Sequence, residues 1–344
     1  MTTPSARSLL LATLVAMAGC GREAPPPEPA TTVPSAPSAP RAAEASPPTA
    51  AAPAALPAHA QSLKEARAGF RTQRVRRSST REPLAFPPSR IFRTVMYEAP
   101  VGKLAAFVSP DPKDGKKHPA IVWITGGDSN SLGDVWSPAP ADNDQTAAQY
   151  RDAGIVMMFP SLRGGNENPG EKEGFLGEVD DVLAAADYLA RLDHVDPSRI
   201  YLGGHSTGGT LALLVAESSD RFRAVFSFGP VDDVAGYPDD YLPFDTRLAA
   251  EITVRSPGRW LSSAASPTFV IEGTERGNLD ALQTMRAAST NPQIRFVPVD
   301  GVDHFSVLAP MNRLIAAKIL DDVGPVTNLA FPDSVVRKAV MRGE

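Results

Sequence analysis

The sequence predicts an α/β domain whose mostly parallel central sheet is covered by helices on both faces. Two observations support this prediction. Apolar, strand-like runs alternate with segments of helical periodicity from about residue 93 to residue 320, a pattern typical of parallel sheets with right-handed crossovers. In addition, the pentapeptide Gly-His-Ser-Thr-Gly at residues 204–208 stands between a strand-like run and an amphipathic run. With 42% hydrophobic residues, the chain can build a core for one large domain.

The predicted strands follow the apolar runs along the chain. Residues 93–97 and 104–108 flank Pro100-Val101-Gly102 and predict a hairpin. Continuous apolar runs, rather than alternating ones, indicate strands that are buried on both faces of a sheet. The remaining strands are predicted at residues 120–125, 155–159, 200–203, 224–228, 268–272 and 294–299.

Helices are predicted between these strands. The clearest is residues 178–192, where apolar side chains recur at the i, i+3, i+4, i+7 spacing of one helix face. Because reactive groups gather at the carboxyl ends of the strands in such sheets, we expect the site residues in the loops that follow the strands. The other helices are predicted at residues 145–153, 209–216, 280–289 and 311–320.

The N-terminal residues predict export. Arg7 precedes an apolar stretch over residues 9–19 that is too short to span a bilayer, and small residues lead directly to Cys20. This arrangement resembles the lipobox of bacterial lipoproteins, in which the cysteine becomes the lipidated N-terminus. We therefore expect a signal peptide over residues 1–20 and a domain tethered by lipidated Cys20 to a membrane of the bacterial cell envelope, on its extracytoplasmic side. Secretion without lipidation is the alternative.

Composition divides the rest of the chain into three parts. Residues 21–84 are rich in Pro and Ala and predict an extended, largely disordered spacer. Residues 85–325 have the length of one large α/β domain, and residues 326–344 are assigned to a C-terminal tail. The spacer ends in a basic cluster that either touches acidic lipid headgroups or forms a solvated charged face. Its members are Arg71, Arg74, Arg76, Arg77 and Arg81.

The net charge and the sequence motifs limit the kinds of ligand that the protein is expected to bind. The net charge of −5 gives no support for nucleic-acid binding, which needs a basic stripe. The sequence contains no metal-ligand spacing and no phosphate-binding loop, so no metal and no cofactor are expected. Since Cys20 is the only cysteine, no disulfide can form within the chain. The oligomeric state is left open.

Ser206 is the candidate nucleophile. The strand-like run before it and the amphipathic run after it form the setting of the nucleophile elbow in the α/β-hydrolase fold. The serine of an elbow sits on a strained turn, and side chains two positions before and after it would collide where strand and helix cross. Gly204 and Gly208 occupy those two positions. The alternative is an ordinary glycine-containing turn.

His304 is the candidate base. A serine hydroxyl is a poor nucleophile at neutral pH and needs a base, nearly always histidine, within hydrogen-bond reach. His304 follows a late strand and satisfies the chain order serine, acid, histidine of α/β-hydrolases. His205 directly precedes the serine and is expected to point away from it. The other three histidines lie in the spacer, before the first buried strand and at the end of a helix: His59, His118 and His194.

Several motifs together resemble the catalytic domain of the prolyl oligopeptidase family. They are the elbow with Asp196-Pro197-Ser198-Arg199-Ile200 before it, the Arg163-Gly164-Gly165 loop, Ser266-Pro267-Thr268, and Gly301-Val302-Asp303-His304. The resemblance covers about residues 90–322. It implies an α/β-hydrolase fold and a Ser-His-acid mechanism that cleaves a peptide or ester bond of a small substrate.

The resemblance also carries expectations about the cleft. No counterpart of the family's propeller domain is seen, so a more open cleft is expected, which favours esterase activity. Residues 232–262 are the expected cap. Their aromatic side chains are expected to serve packing more often than substrate contact: Tyr237, Tyr241, Phe244 and Trp260.

The acid departs from the family's pattern. The family has Asp three residues after the glycine of the late strand, where this chain has Arg276. The acid should orient the imidazole and stabilise its protonated form. Glu275 is the preferred candidate, and Glu272, Asp232 and Asp233 remain alternatives.

The oxyanion hole departs from the pattern as well. One donor is expected to be the backbone N–H of Thr207, the residue after the nucleophile. The family's second donor is a Tyr or His before a Gly-Gly pair, whereas here Thr125 precedes Gly126-Gly127. A threonine hydroxyl is shorter, so the backbone N–H of Gly127 or Asp128 is expected to replace that donor, with Gly127 preferred.

Two functions follow from these residues. The first is an envelope-tethered serine hydrolase that cleaves an ester or peptide bond through an acyl-enzyme. The second is a catalytically inactive, hydrolase-fold binding module of the cell envelope, which is motivated by Arg276 at the usual position of the acid. Ser206 and His304 favour the enzyme.

Overall fold

A computed structural model describes residues 61–341 of the 344-residue chain. The predicted signal peptide over residues 1–20, with its lipidation site Cys20, lies outside the described residues, as does the spacer as far as residue 60. Within the described range, no helix combines the length and the apolar character that crossing a bilayer requires.

A single eight-stranded sheet forms the centre of the described structure. Its strand order is β1-β2-β4-β3-β5-β6-β7-β8. The β1–β2 and β2–β4 pairs are antiparallel and the other neighbours are parallel, so the predicted hairpin and the mostly parallel sheet are confirmed. The strands are β1 (Arg93–Ala99), β2 (Gly102–Val108), β3 (His118–Ile124), β4 (Val156–Pro160), β5 (Val195–His205), β6 (Val225–Phe228), β7 (Thr268–Gly273) and β8 (Ile294–Val299).

Helices cover both faces of this sheet, as the fold class predicts. Along β3, Val122 faces a core cluster that includes side chains of α3 and α4, while its neighbour Trp123 faces a second cluster that includes side chains of α2 and α7. This alternation explains why the central strands are continuously apolar. The helices are α1 (Leu63–Arg67), α2 (Ala148–Asp152), α3 (Glu178–Ala190), α4 (Thr207–Ser218), α5 (Ala249–Thr253), α6 (Leu279–Ala288), α7 (Leu308–Asp321) and α8 (Asp333–Met341).

Two segments that the composition places outside the domain pack against it. In the predicted spacer, α1 buries Leu63 and Ala66 completely. In the predicted tail, α8 buries Val336. The compact fold therefore extends beyond residues 85–325 at both ends. Each segment contributes only one or two buried side chains, which is too weak a periodic signal to detect in a Pro-rich or polar context.

The sheet register brings the loops of interest to one edge. Ile124 of β3 pairs with Gly204 of β5, and His205 of β5 pairs with Phe228 of β6. Phe228 in turn pairs with Ile271 of β7. The loops that follow β3, β5, β6 and β7 therefore leave the carboxyl edge at the same level, where ligands bind in open α/β sheets.

Candidate active site

Ser206 occupies a strained turn between β5 and α4. Its backbone angles are φ 55° and ψ −114°, a combination that non-glycine residues rarely adopt. Such a conformation costs on the order of 1–3 kcal/mol and persists only when its surroundings hold it in place. The Ser206 N–H donates to the carbonyl of Phe228 at 2.8 Å, and the Thr210 N–H donates to the carbonyl of Ser206 at 2.8 Å. The predicted strand–turn–helix arrangement is confirmed.

The two glycines of the pentapeptide are required by close approach. A Cβ atom on Gly204 would lie 2.3 Å from the carbonyl oxygen of Gly208. A Cβ atom on Gly208 would lie 2.3 Å from the carbonyl oxygen of Ile124 in β3. Both contacts involve backbone atoms that cannot move aside, so the steric reason given for these glycines is confirmed.

His304 lies in the loop after β8, and two sets of hydrogen bonds hold that loop. The His304 N–H donates to the carbonyl of Arg276 at 3.0 Å. The preceding Asp303 carboxylate accepts the N–H groups of Ser306 at 2.9 Å and of Phe305 at 3.1 Å. These bonds, the one from the Ser306 N–H foremost, lower the pKa of Asp303 from its ordinary value. The His304 side chain is 12% exposed.

Glu272 is the carboxylate that contacts this histidine. His304 Nδ1 lies 2.9 Å from Glu272 Oε2. The Glu272 side chain is fully buried at the end of β7, where its carboxylate also accepts the N–H of Gly273 at 2.8 Å and the N–H of Asn278 at 3.2 Å. Glu275 is exposed in the loop that follows. The preference for Glu275 is therefore wrong, and one of its alternatives takes its place.

The reason for this correction lies in the position and length of the side chain. Residue 272 lies inside β7, beside the strand that leads to His304, and a glutamate is long enough to reach the imidazole from there. Asp233 is engaged elsewhere, because its carboxylate accepts the N–H of Ala235 at 2.9 Å and the hydroxyl of Ser256 at 3.1 Å. Arg276 is exposed and contacts His304 through its backbone carbonyl.

The two expected oxyanion residues lie next to each other. Thr207 is the first residue of α4, so its N–H is one of the four at a helix start that have no acceptor within the helix, and the helix dipole favours negative charge there. The Thr207 hydroxyl donates to the carbonyl of Gly127 at 2.9 Å, and the Tyr241 hydroxyl donates to the same carbonyl at 3.3 Å. Gly127 and Thr207 line one pocket with Ser206.

A hydrogen-bonded link between Gly126, in the loop after β3, and His304 was not anticipated from the sequence. Gln145 accepts the N–H of Gly126 at 3.1 Å, and its amide nitrogen lies 2.7 Å from His205 Nδ1. His205 Nε2 lies 2.9 Å from the carbonyl oxygen of His304. With the Gln145 amide donating to Nδ1, the bond to the His304 carbonyl requires the proton on Nε2.

The neutral imidazole of His205 therefore connects Gln145 to the backbone of His304 through two hydrogen bonds. Burial, aided by the charge of nearby His304, lowers the pKa of His205 to about 3. Its ring centroid lies 4.5 Å from that of His304. Its Nε2 contacts the backbone carbonyl of His304, the residue that is expected to act as the base. A glutamine in a loop offers no periodic or motif signal, so sequence reasoning had no means to find this link.

The pocket beside Ser206 is a cavity of about 540 Å³. One wall is aromatic, with ring centroids 5.5 Å apart for Phe175 and Tyr237 and 5.3 Å apart for Tyr237 and Tyr241. Lys172 and Asp128 also line the pocket, and Lys172 Nζ lies 2.6 Å from an Asp128 carboxylate oxygen. Thus two of the four cap aromatics line the pocket, whereas Phe244 and Trp260 are buried in packing. In the described range, no cluster of His, Cys, Asp and Glu side chains is arranged to hold a metal ion.

The chain is similar to known peptidases over part of its length. The prolyl oligopeptidase family matches residues 142–289, a stretch that includes Ser206 and Glu272 and ends before His304. The human acylamino-acid-releasing enzyme is 26% identical over 216 residues, which is 55% of this chain and 28% of that protein. Dipeptidyl-peptidase 5 of Porphyromonas gingivalis is 25% identical over 237 residues, 60% of this chain and 33% of that protein. The chain thus spans about a third or less of the length of these relatives.

Solved structures match the fold. Porphyromonas gingivalis dipeptidyl peptidase 4 has a TM-score of 0.53 and 19% identity, with 67% of this chain and 35% of that chain covered. An esterase of Pyrobaculum calidifontis has a TM-score of 0.51 and 20% identity, with 70% of this chain and 87% of that chain covered. Together with the mostly parallel sheet and its helices, these similarities identify the α/β-hydrolase fold.

Proposed function

We propose that this protein is a serine hydrolase that cleaves an ester or peptide bond through an acyl-enzyme. The observation that carries the proposal is the juxtaposition at one sheet edge of a strained serine turn with a histidine whose Nδ1 contacts a buried glutamate. In triads of this kind the serine is the nucleophile, the histidine the base and the carboxylate the group that orients the imidazole. Ser206, His304 and Glu272 take these roles.

The contacts define how a proton would move. The Glu272 carboxylate faces Nδ1 of His304, which fixes the proton on that nitrogen and leaves Nε2 to accept a proton. As Ser206 Oγ bonds to the carbonyl carbon, its proton passes to Nε2, and Glu272 stabilises the imidazolium. His304 then gives this proton to the leaving group as the scissile bond breaks. Water, activated by the same histidine, releases the acyl group from Ser206.

The oxyanion is assigned to backbone donors. Negative charge on the tetrahedral intermediate would be stabilised by the N–H of Thr207, at the positive end of α4, and by the N–H of Gly127. The Thr207 hydroxyl bond to the Gly127 carbonyl fixes the spacing of the two residues. Loss of one such donor costs about 10²–10³ in rate in a comparable enzyme.

The relatives support hydrolysis without deciding between peptides and esters. They include proteins described as an acylamino-acid-releasing enzyme, a dipeptidyl peptidase and an esterase. The alternative function, an inactive binding module, was motivated by Arg276 at the family's usual position of the acid. Glu272 supplies a carboxylate from a different place, and this favours the enzyme.

The test is turnover by the purified full chain. We expect it to hydrolyse members of a panel of p-nitrophenyl esters or of aminoacyl and dipeptidyl p-nitroanilides, and we expect Ser206→Ala to abolish that turnover while its circular dichroism spectrum is retained. A folded wild-type protein that turns over neither class would favour the inactive binding module instead.

We also propose that the protein is anchored in the bacterial cell envelope through a lipid on Cys20. The support is the short apolar stretch that ends in Ala18-Gly19-Cys20. Intact-mass analysis of protein from the membrane fraction is expected to give a chain that begins at acylated Cys20, and Cys20→Ser is expected to move it to the soluble fraction. An unacylated N-terminus at another residue would contradict this proposal.

A further inference from the structure

A part of the predicted spacer that carries three of the five arginines of the basic cluster runs along the candidate pocket. We call residues 72–80 the N-terminal strap. On the cap side, the N–H of Val75 donates to the carbonyl of Pro243 at 2.8 Å. The guanidinium of Arg76 donates to the carbonyl of Asp240 at 2.8 Å. Both acceptors belong to residues that line the pocket.

The strap continues from the cap to two loops that contribute other residues of the pocket lining. The carbonyl of Ser78 accepts the N–H of Lys172 at 2.9 Å, and the N–H of Thr80 donates to the carbonyl of Gly164 at 3.0 Å. The Thr80 hydroxyl lies 3.0 Å from that of Ser131. Ser78 itself lines the pocket. The strap therefore joins the cap to the loops that follow β3 and β4.

Buried charges attach the strap to the domain. The Glu251–Arg255 ion pair is fully buried. The N–H of Gln73 donates to the Glu251 carboxylate at 2.7 Å, and the guanidinium of Arg255 donates to the hydroxyl of Thr72 at 2.7 Å. Buried charges are tolerated when their remaining hydrogen-bonding groups are satisfied. The strap supplies two of these partners, so it is part of the folded domain and not a loose tether.

The pocket that the strap crosses lies on the acyl side of the reaction. Among the described residues, its lining includes Ser206, Thr207 and Gly127 but not His304. The leaving group departs toward the histidine, because that residue gives it a proton. The acyl group, whose carbonyl is held by the oxyanion donors, is therefore the part that enters the pocket and extends toward the strap.

We propose that the N-terminal strap is the specificity-determining wall of this acyl pocket and restricts the enzyme to compact acyl groups. This inference rests on the proposed hydrolase activity. Preferred substrates are short-chain esters or the acyl part of a short peptide, because an extended acyl chain meets the strap backbone and Ser78. The sequence predicts an open cleft, whereas the structure has a chain segment across it.

The test varies only the acyl group. The full chain is assayed with p-nitrophenyl acetate, butyrate, octanoate and dodecanoate, which share one leaving group. We expect kcat/KM to fall from the short to the long esters. Ser78→Trp places an indole in the pocket and is expected to lower the butyrate-to-acetate ratio of kcat/KM roughly tenfold, the scale on which pockets discriminate by size. Ser79→Trp is the matched control, because Ser79 is the next strap residue and is not part of the described pocket lining.

A second variant tests the wall without filling it. Arg76→Ala removes the guanidinium bonds to the cap carbonyls and is expected to raise the octanoate-to-acetate ratio. Equal kcat/KM for acetate and dodecanoate in the wild type, or unchanged ratios in both Ser78→Trp and Arg76→Ala, would overturn the inference and leave the hydrolase standing. A folded wild type that hydrolyses no ester or anilide and does not react with a fluorophosphonate would overturn the proposed function and, with it, this inference.

Discussion

Two glutamates of this domain are equally buried and differ in their surroundings. Glu272, at the end of β7, is completely buried, and Glu217, in the last turn of α4, is 1% exposed. The Glu272 carboxylate accepts two backbone N–H groups and contacts Nδ1 of His304. Neither carboxylate oxygen of Glu217 has a hydrogen-bond partner in the described part of the chain, and burial raises the pKa of Glu217 well above its ordinary value.

The difference separates a buried carboxylate whose hydrogen-bonding needs are met from one that is buried without hydrogen-bond partners among the described residues. Burying a charged group is unfavourable unless donors replace the lost water. At Glu272 the strand end, the following loop and the histidine provide those donors. At Glu217 none is provided, so burial favours the protonated form of this side chain. We therefore expect substitution of Glu272 to change the rate of reaction and substitution of Glu217 to change stability.

The largest effect is expected for Glu272→Gln. An amide can present its N–H to Nδ1 and favour the wrong tautomer of His304, a defect worth about 10⁴ in kcat for the aspartate of a comparable triad. The measurement is kcat for the best ester or anilide of the panel. Glu275→Gln is the control and is expected to keep near-normal turnover, because Glu275 is exposed. The reverse result would return the acid role to Glu275.

A smaller loss is expected for Gln145→Ala. This change removes the link between the N–H of Gly126 in the loop after β3 and the ring of His205, whose Nε2 in turn contacts the His304 carbonyl. Misplacement of catalytic groups by about 1 Å can cost about 10²-fold in rate. The control is Gln149→Ala, since Gln149 contacts Asp144 instead. Equal kcat/KM in both variants would show that the link does not position the site.

The smallest effect, expected for Glu217→Gln, is on stability alone. Because the folded-state pKa of Glu217 is raised above its ordinary value of 4.5, its contribution to stability is fully present below that value and is lost as the pH rises toward the folded-state pKa. The glutamine variant does not titrate. Its advantage in unfolding free energy over the wild type should therefore grow above pH 4.5 by up to about 1.4 kcal/mol per pH unit.

The measurement for this prediction is urea unfolding at pH 5 and at pH 7. Glu167→Gln provides the control, because Glu167 is exposed and its substitution removes the same charge. We expect the control to show little dependence on pH relative to the wild type. An advantage of Glu217→Gln that is the same at both pH values would mean that Glu217 does not titrate abnormally.

The sequence was sufficient to predict the parts of the molecule that show a regular apolar pattern or that follow from a steric constraint. Continuous apolar runs located the parallel strands, and the glycines at positions 204 and 208 located the turn of Ser206. Chain order then singled out His304. These features are local, so they can be read without knowing which loops meet in space.

The remaining site residues depend on tertiary contacts. Glu272 continues a buried strand, and a carboxylate in such a run is itself a signal, because an unpaired charge there would be unfavourable. Gln145 and the strap have no such signal. Their contacts are individual hydrogen bonds to residues that are distant in the sequence, such as the bond between the N–H of Gln73 and the Glu251 carboxylate. Composition alone assigns the strap to a spacer.

The most direct test of the central claim is covalent labelling with a fluorophosphonate, followed by intact-mass and peptide analysis. The claim is that Ser206 is a nucleophile activated by His304 and Glu272. We expect one phosphonyl adduct on Ser206 in the wild type, none in Ser206→Ala, much slower labelling in Glu272→Gln, and the wild-type rate in Glu275→Gln. An unlabelled wild type, or an adduct that persists in Ser206→Ala, would contradict the claim.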